Sequence, residues 1–400
     1  MRWFLLCVVG VCCGCVNAVS LPARNGIERY DFYAGYLSGQ AVGIVTHHTS
    51  LVEGQHSVDF LQKKGVKLIR VFSPEHGFRG DVDAGEQVGD YVDPRSGLPV
   101  ISLYGKKKKP AREDLEGIGL MLFDLQDVGV RFYTYLSTLH YVMEACAENG
   151  IPLIVMDRPN PNAFYVDGPV LKKGFTSFVG MHPVPVVYGM TIGEYARMIN
   201  GEGWLKEGVR CDLTVVPCEG WDRREPVALP YAPSPNLPDS VSVMLYPSLC
   251  FFEGTVINEG RGTRTPFQVF GHPDLHDMPY SYTPRAIEGM SMSPKCQDQL
   301  CRGMSLIDRY EAFRELKRLD LSWLLLAYRN YRGERLFFLP MFNLLAGNDT
   351  LQKAIVAGKT EAEIRSSWEE EVKAFRVIRE RYLLYPILNE TDGSNVIYRK

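Results

Sequence analysis

At 400 residues the chain is long enough for two domains that each bury a core of their own. Its 46% hydrophobic and 23% charged residues are those of a folded globular protein, which excludes a multi-span membrane protein and a largely disordered chain. Lysine and arginine number 44 against 47 acids, a net charge of -3 that lacks the basic surplus of a dedicated nucleic-acid binder.

The first residues read as a secretory leader. Arg2 precedes the apolar run Trp3 to Val11, and small residues end in Val16-Asn17-Ala18, so residues 1–18 are expected to be a signal peptide. The run is too short to span a bilayer, which takes about 20 apolar residues. The mature protein is thus expected to be exported, periplasmic or associated with the cell envelope. Gly14-Cys15 offers the alternative of lipoprotein processing, with Cys15 as a lipid anchor. Cleavage after Ala18 leaves Cys146, Cys211, Cys218, Cys250, Cys296 and Cys301, too few for a disulfide-built scaffold.

Four short apolar runs follow: Ala41 to Thr46, Lys67 to Phe72, Leu120 to Leu125 and Pro152 to Met156. Each ends in polar residues, the pattern of buried parallel strands. Helical candidates between them, Val58 to Lys64 and Thr134 to Glu148, make βαβ crossovers and predict an α/β fold with helices on both faces of an open sheet. The polar clusters at the strand ends then share one rim, where ligands bind in such sheets. Pro230 to Pro238 holds four of the 25 prolines and marks a domain boundary, with residues 19–235 on one side and 236–400 on the other. Glu361 to Tyr385 repeats apolar residues at helical spacing behind a Thr360/Glu363 capping box, which predicts one terminal helix facing the core.

No dinucleotide-binding glycine pattern, phosphate-binding loop or serine-hydrolase elbow is present. His47, His48, Glu75, His76, Asp124 and Asp127 have the chemistry of a two-metal site, but their spacing matches no metal signature. Paired carboxylates account for the rim better, since two of them across a crevice divide the work of glycoside hydrolysis. Glu75, after Pro74 and before His76-Gly77, serves no cap or periodic face. Asp124 and Asp127 either share the chemistry or cap a helix and pair with Arg131 and Arg158, and for Asp157 the capping or pairing role is preferred.

The motifs are recognisable as a set. Ser73-Pro74-Glu75-His76-Gly77-Phe78-Arg79-Gly80, Phe123 to Tyr135, and Asp157-Arg158-Pro159-Asn160-Pro161 resemble the NamZ-type exo-β-N-acetylmuramidases, glycoside hydrolase family 171. The likeness continues through Gly189 to Glu194, Ser234-Pro235-Asn236-Leu237-Pro238, Glu253-Gly254-Thr255, Glu259 to Thr263, Pro266-Phe267 and Tyr382 to Tyr385. It implies a Rossmann-like N-terminal catalytic domain, a smaller α+β C-terminal domain completing the cleft, and removal of N-acetylmuramic acid (MurNAc) from non-reducing ends of peptidoglycan fragments such as MurNAc-GlcNAc. In that family the glutamate equivalent to Glu75 is the catalytic candidate. Asp124 or Asp127 is the candidate second group, as nucleophile or base, or as an orienter if the substrate's acetamido group attacks. His48, His76, Gln126, Arg131, Tyr133, Asn160, Asn236, Glu259 and Arg261 are expected to bind substrate.

Arg131, Arg261 and Arg264 are candidates for the lactyl carboxylate, because a guanidinium fork matches that group. For Arg131 a salt bridge to Asp127 is the equal alternative. Around Arg261 the flanking Gly260 and Gly262 are read as letting backbone approach a ligand. The chain departs from the resemblance at His47, where the family usually has Asn, and an imidazole at the rim is expected to alter subsite shape or pH dependence. A carboxylate mechanism needs neither metal nor nucleotide, so no cofactor is expected. The alternative is a sugar-binding envelope protein without catalysis on the same scaffold.

Overall fold

The computed structural model describes residues 23–75, 77–79, 89–224 and 226–385. The expected signal peptide, the lipid-anchor alternative at Cys15 and the candidate His76 lie outside the described residues. Helix α1 (Tyr30–Leu37) leads to β1 (Ala41–Thr46), the hairpin β2 (Leu51–Val52) and β3 (Gln55–His56), then α2 (Ser57–Lys63) and β4 (Lys67–Ser73). After these come β5 (Tyr91–Val92), β6 (Pro99–Ser102), β7 (Leu120–Asp124), α3 (Tyr135–Asn149), β8 (Leu153–Met156), α4 (Ile192–Gly201) and β9 (Leu213–Val216).

Among the described residues seven of these strands form one sheet in the order β5-β6-β4-β1-β7-β8-β9, parallel except for the edge strand β5. Strand parity divides its two faces. Val42 and Ile44, Leu120 and Leu122, and Ile154 and Met156 pack with Tyr33 and Leu37 of α1 and Val58 and Leu61 of α2. Val45, Met121, Phe123, Leu153 and Val155 face the other way, against Leu136, Leu139 and Val142 of α3 and Met198 and Ile199 of α4. With both faces covered, every residue of β7 and β8 is buried, which is why these strands read as unbroken apolar runs. The chain runs outward from β1 through β4 to β6, then returns to the other side of β1 for β7, β8 and β9. The order therefore reverses between β1 and β7, the switch point where such sheets form a crevice.

The C-terminal part opens with α5 (Ser240–Leu249), capped by Asp239, whose side chain accepts the Ser242 N–H at 2.8 Å. A three-stranded antiparallel sheet follows, with β12 (Cys301–Ser305) between β10 (Val269–His272) and β11 (Tyr280–Tyr282). Helices α6 (Tyr310–Leu316), α7 (Ser322–Asn330), α8 (Met341–Ala346), α9 (Thr350–Val356), α10 (Glu361–Ser366) and α11 (Glu369–Glu380) complete it. The core is continuous across the two parts: Phe132 meets Tyr246 and Phe251 edge-on, with ring centroids 5.5 and 5.9 Å apart. The single helix expected from residue 361 onward is two helices. Ser367 Oγ donates to the Ile364 carbonyl, and Trp368 turns inward to donate its indole N–H to Asp167 Oδ1 at 3.0 Å, so the tertiary partner of one indole breaks the periodic run.

Candidate active site

Glu75 stands just beyond the C-terminal end of β4, in a turn closed by the Gly77 N–H to the Pro74 carbonyl at 3.2 Å. Gly77 has φ +73°, a conformation that favours glycine. The Glu75 carboxyl is flanked on two sides. Thr134 Oγ1, just before α3, donates to its Oε2 at 3.0 Å, and the Tyr104 hydroxyl, two residues past β6, stands beside it on the cleft wall. Burial, then the Glu75 charge, pushes the Tyr104 phenol well above its ordinary value, so it remains a donor. Glu75 opens onto a cleft of about 220 Å³ whose walls include Phe132, Tyr133, Tyr135, Phe178, Tyr246 and Phe267. Its aromatic faces suit a sugar ring. Tyr104→Phe removes a hydroxyl that acts on the Glu75 carboxyl, an effect of about 1 kcal/mol, and should lower kcat roughly 2- to 10-fold with KM and Tm little changed. An unchanged kcat would show that Thr134 alone positions the carboxyl.

The C-terminal part supplies the facing wall. Arg261 lines the cleft with its guanidinium between two carboxylates, 2.6 Å from Glu253 and 3.2 Å from Glu259, and 5.2 Å from the Phe267 ring centroid. Glu259 is buried and also pairs with Lys295 at 2.7 Å. These two acids and two bases balance, which lets the group sit beside an apolar wall without an uncompensated charge. Gly260 and Gly262 have φ +86° and +80°, and an added Cβ would come within 2.7 Å of the Thr265 and Arg285 carbonyls respectively. The glycines thus serve close packing of the protein's own loops, not the approach to a ligand expected from sequence.

Of the expected site residues, Glu75, Tyr133, Asn236 and Arg261 line the cleft together. Glu253, Tyr104 and Thr134 join them without having been singled out as site residues. Glu253 lies in a motif that carries the family resemblance, whereas Tyr104 carries no sequence signal. The remaining expected residues among those described are drawn elsewhere. Asp124 is buried at the switch point, where Arg158 Nε donates at 2.6 Å and Nη2 at 3.1 Å and Ser50 adds a hydroxyl. Asp127 is buried against the Tyr188 hydroxyl and accepts the Gly129 N–H at 2.7 Å. Neither lines the cleft of Glu75, because both satisfy buried donors inside the sheet's own rim.

Arg131 reaches neither the cleft nor Asp127. Its buried guanidinium donates to the carbonyls of Pro169, Val184 and Leu345 at 2.6–2.9 Å, and burial pushes it down to about 9. Asn160 donates to the Met190 carbonyl and sits where a Cβ on Gly129 would come within 2.1 Å of its Oδ1, so it braces two loops. Gln126 donates to the Asp127 and Pro159 carbonyls and lines a separate cavity with Thr49 and Arg158. His48 meets the Ala232 carbonyl at 2.9 Å, and burial holds its imidazole below the ordinary value. Glu259 acts on the cleft only through Arg261. His47 is buried behind Tyr135, with ring centroids 5.0 Å apart, beneath the rim where sequence reading set it.

Asp157 has the structural part preferred for it, though Arg158 gives it only a backbone N–H, to Oδ1 at 3.0 Å, while the guanidinium goes to Asp124. It accepts from Gly193 N at the start of α4, from Thr191 Oγ1 and from the Tyr385 hydroxyl at 2.6–2.8 Å. Burial, then the nearby Glu194, pushes its carboxyl up to about 7. A carboxyl that holds its proton more tightly folded than unfolded weakens the fold as pH rises from the unfolded value near 4 to about 7, at up to roughly 1.4 kcal/mol per pH unit, with no further loss above. Asp157→Asn should flatten that slope in a Tm-against-pH series. A parallel slope in the variant would assign the dependence to other groups.

Residues 42–241 match the family model described as exo-β-N-acetylmuramidase NamZ, N-terminal, and residues 244–385 match its C-terminal counterpart. Over 378 residues the chain is 39% identical to the peptidoglycan β-N-acetylmuramidase NamZ of Bacillus subtilis (strain 168), covering 88% of this chain and 89% of the relative. Two crystal structures of DUF1343 family proteins from Bacteroides fragilis NCTC 9343 superpose with TM-scores of 0.85 and 0.74, at 40% and 28% identity, each covering 91% of this chain and 99% of the other. With both family models matched in order and a solved relative sharing the whole fold, the chain belongs to the NamZ family of exo-β-N-acetylmuramidases.

Proposed function

We propose that this chain is an exo-acting glycoside hydrolase that removes N-acetylmuramic acid from the non-reducing ends of peptidoglycan fragments. The observation that carries this reading is the carboxyl of Glu75, held by Thr134 beside Tyr104 at the mouth of an aromatic-walled cleft, in a chain closely related to a peptidoglycan muramidase. Glu75 protonates the departing glycosidic oxygen. Glu253, clasped by Arg261, is the second carboxylate of the cleft and takes the part that Asp124 and Asp127 were expected to fill, orienting the attacking water or the substrate's 2-acetamido group. Arg261 is the candidate partner of the lactyl carboxylate. The relative's activity and the converging carboxylates favour hydrolysis over binding alone. The leader-like residues 1–18 support a place in the cell envelope, with Cys15 as the alternative lipid attachment.

The test is release of free MurNAc from a MurNAc-GlcNAc disaccharide, run beside matched chromogenic β-N-acetylmuramide and β-N-acetylglucosaminide. Arg261 keeps Glu253 and Glu259 when the lactyl group is absent, so the preference is that of the direct contact, about 1.5–3 kcal/mol for a hydrogen bond to a charged group, and kcat/KM should favour the muramide at least roughly 10-fold. Equal kcat/KM values on the two glycosides would overturn the muramidase reading.

A further inference from the structure

Two thiols stand together in the C-terminal part, away from the catalytic carboxyl. Cys301 opens β12, pairs in register with Tyr282 of β11 and is buried. Cys296 lies five residues earlier and is partly exposed. The chain between them turns back on itself: Gln299 N–H closes onto the Cys296 carbonyl at 3.1 Å, and Cys296 and Asp298 both adopt positive φ, at 56° and 61°. That turn makes the two thiols neighbours that act on each other; both are free here, with Cys301 Sγ donating to the Gln299 carbonyl at 3.8 Å and Cys296 Sγ to the Val256 carbonyl at 4.0 Å.

The surroundings suit exchange chemistry. His272, the last residue of β10, accepts the Asp274 N–H on Nδ1 at 3.1 Å, which leaves its Nε2 to carry a proton, and its ring is a neighbour of Cys296 that favours the thiolate. Cys301 first, then His272 and the Lys295 charge, hold the Cys296 thiol below its ordinary value against the effect of burial, and the Cys301 thiol is pushed up. The exposed member of the pair is thus the nucleophile and the buried one the resolving thiol. By contrast Cys146, Cys211, Cys218 and Cys250 are buried with thiols pushed up, the state of inert core cysteines.

We propose that Cys296 and Cys301 form a structural disulfide by exchange with an external disulfide, tying the loop that carries Lys295 to the first residue of β12. Cys296 thiolate attacks one sulfur of the donor, forming a mixed disulfide and expelling a donor thiolate. Cys301 gives up its proton to that thiolate and attacks Cys296 Sγ, releasing the second donor sulfur, which takes a proton from solvent. The donor gains two electrons and two protons, and the protein loses two hydrogens. The bond bears on the cleft through one neighbour. Lys295, next to Cys296, holds Glu259 and the carbonyls of Phe252 and Thr255 at 2.6–3.2 Å, and Glu259 holds Arg261. The crosslink therefore braces the wall opposite Glu75.

The test equilibrates the purified full chain in reduced and oxidised glutathione, quenches in acid, alkylates under denaturing conditions and maps the peptides by mass. A peptide joining Cys296 to Cys301, lighter by about 2 Da than its reduced form, is expected, with the other cysteines alkylated. Cys296→Ser and Cys301→Ser should each abolish it. The double serine variant and the reduced wild type should both melt roughly 2–5 °C below the oxidised protein. Free thiols at both positions at every glutathione ratio, glutathione trapped on Cys296 without closure, or a crosslink between Cys146 and Cys211 instead would each overturn the proposal. None of these outcomes depends on muramidase activity.

Discussion

Glu75→Gln should lower turnover of a MurNAc-GlcNAc disaccharide roughly 10²- to 10⁴-fold and leave Tm unchanged. The amide is nearly isosteric and its carbonyl oxygen still accepts from Thr134, so the turn after β4 keeps its shape. What is lost is the proton. An N-acetylglucosamine leaving group needs that proton as the bond breaks, whereas a nitrophenolate departs without it. The loss should accordingly shrink on an activated aryl muramide, and the contrast separates a missing acid from a damaged site. Near-normal hydrolysis of the disaccharide by the variant would remove Glu75 from the chemistry, and Glu253 would then be the carboxylate to replace.

Asp124→Ala should behave in the opposite manner, as a stability variant. The Asp124 carboxylate is buried and takes two hydrogen bonds from the equally buried Arg158 guanidinium, at 2.6 and 3.1 Å. Removing one partner of such a pair strands the other charge away from water, which costs about 3–5 kcal/mol. A fall in Tm of several degrees and a lower midpoint in urea should follow, with kcat of the folded fraction reduced far less than in Glu75→Gln. Adding Arg158→Met should restore much of the lost stability, because the stranded cation is then gone. A variant that melts like the wild type but is inactive would return Asp124 to the catalytic group.

The two carboxylates show where sequence reading succeeds and where it stops. Both stand at the C-terminal end of a parallel strand, both occur in motifs shared with the family, and by residue type alone both qualify for acid chemistry. Their roles separate only through partners distant in the chain. Asp124 meets an arginine 34 residues on, while Glu75 meets a threonine 59 residues on and faces Arg261 across the cleft. Arg131 makes the same point in reverse: its fork suited a lactyl carboxylate, with a salt bridge to Asp127 as the equal alternative, yet it is the carbonyls of Pro169, Val184 and Leu345 that take its hydrogen bonds.

Local pattern by itself determined the four central parallel strands, the helices after β3 and before β8, and the Thr360/Glu363 cap, because each depends on residues within a few positions of one another. The quoted motifs determined the family and pointed to Glu75. Tertiary structure alone decided the break at Trp368, the burial of His47, the neutral network around Arg261 and the entry of Tyr104 and Glu253 into the cleft. The physical reason is that burial and hydrogen-bond satisfaction are long-range quantities. A carboxylate becomes reactive or inert according to whether a cavity or a guanidinium from a remote segment closes over it, and no window along the chain contains that information.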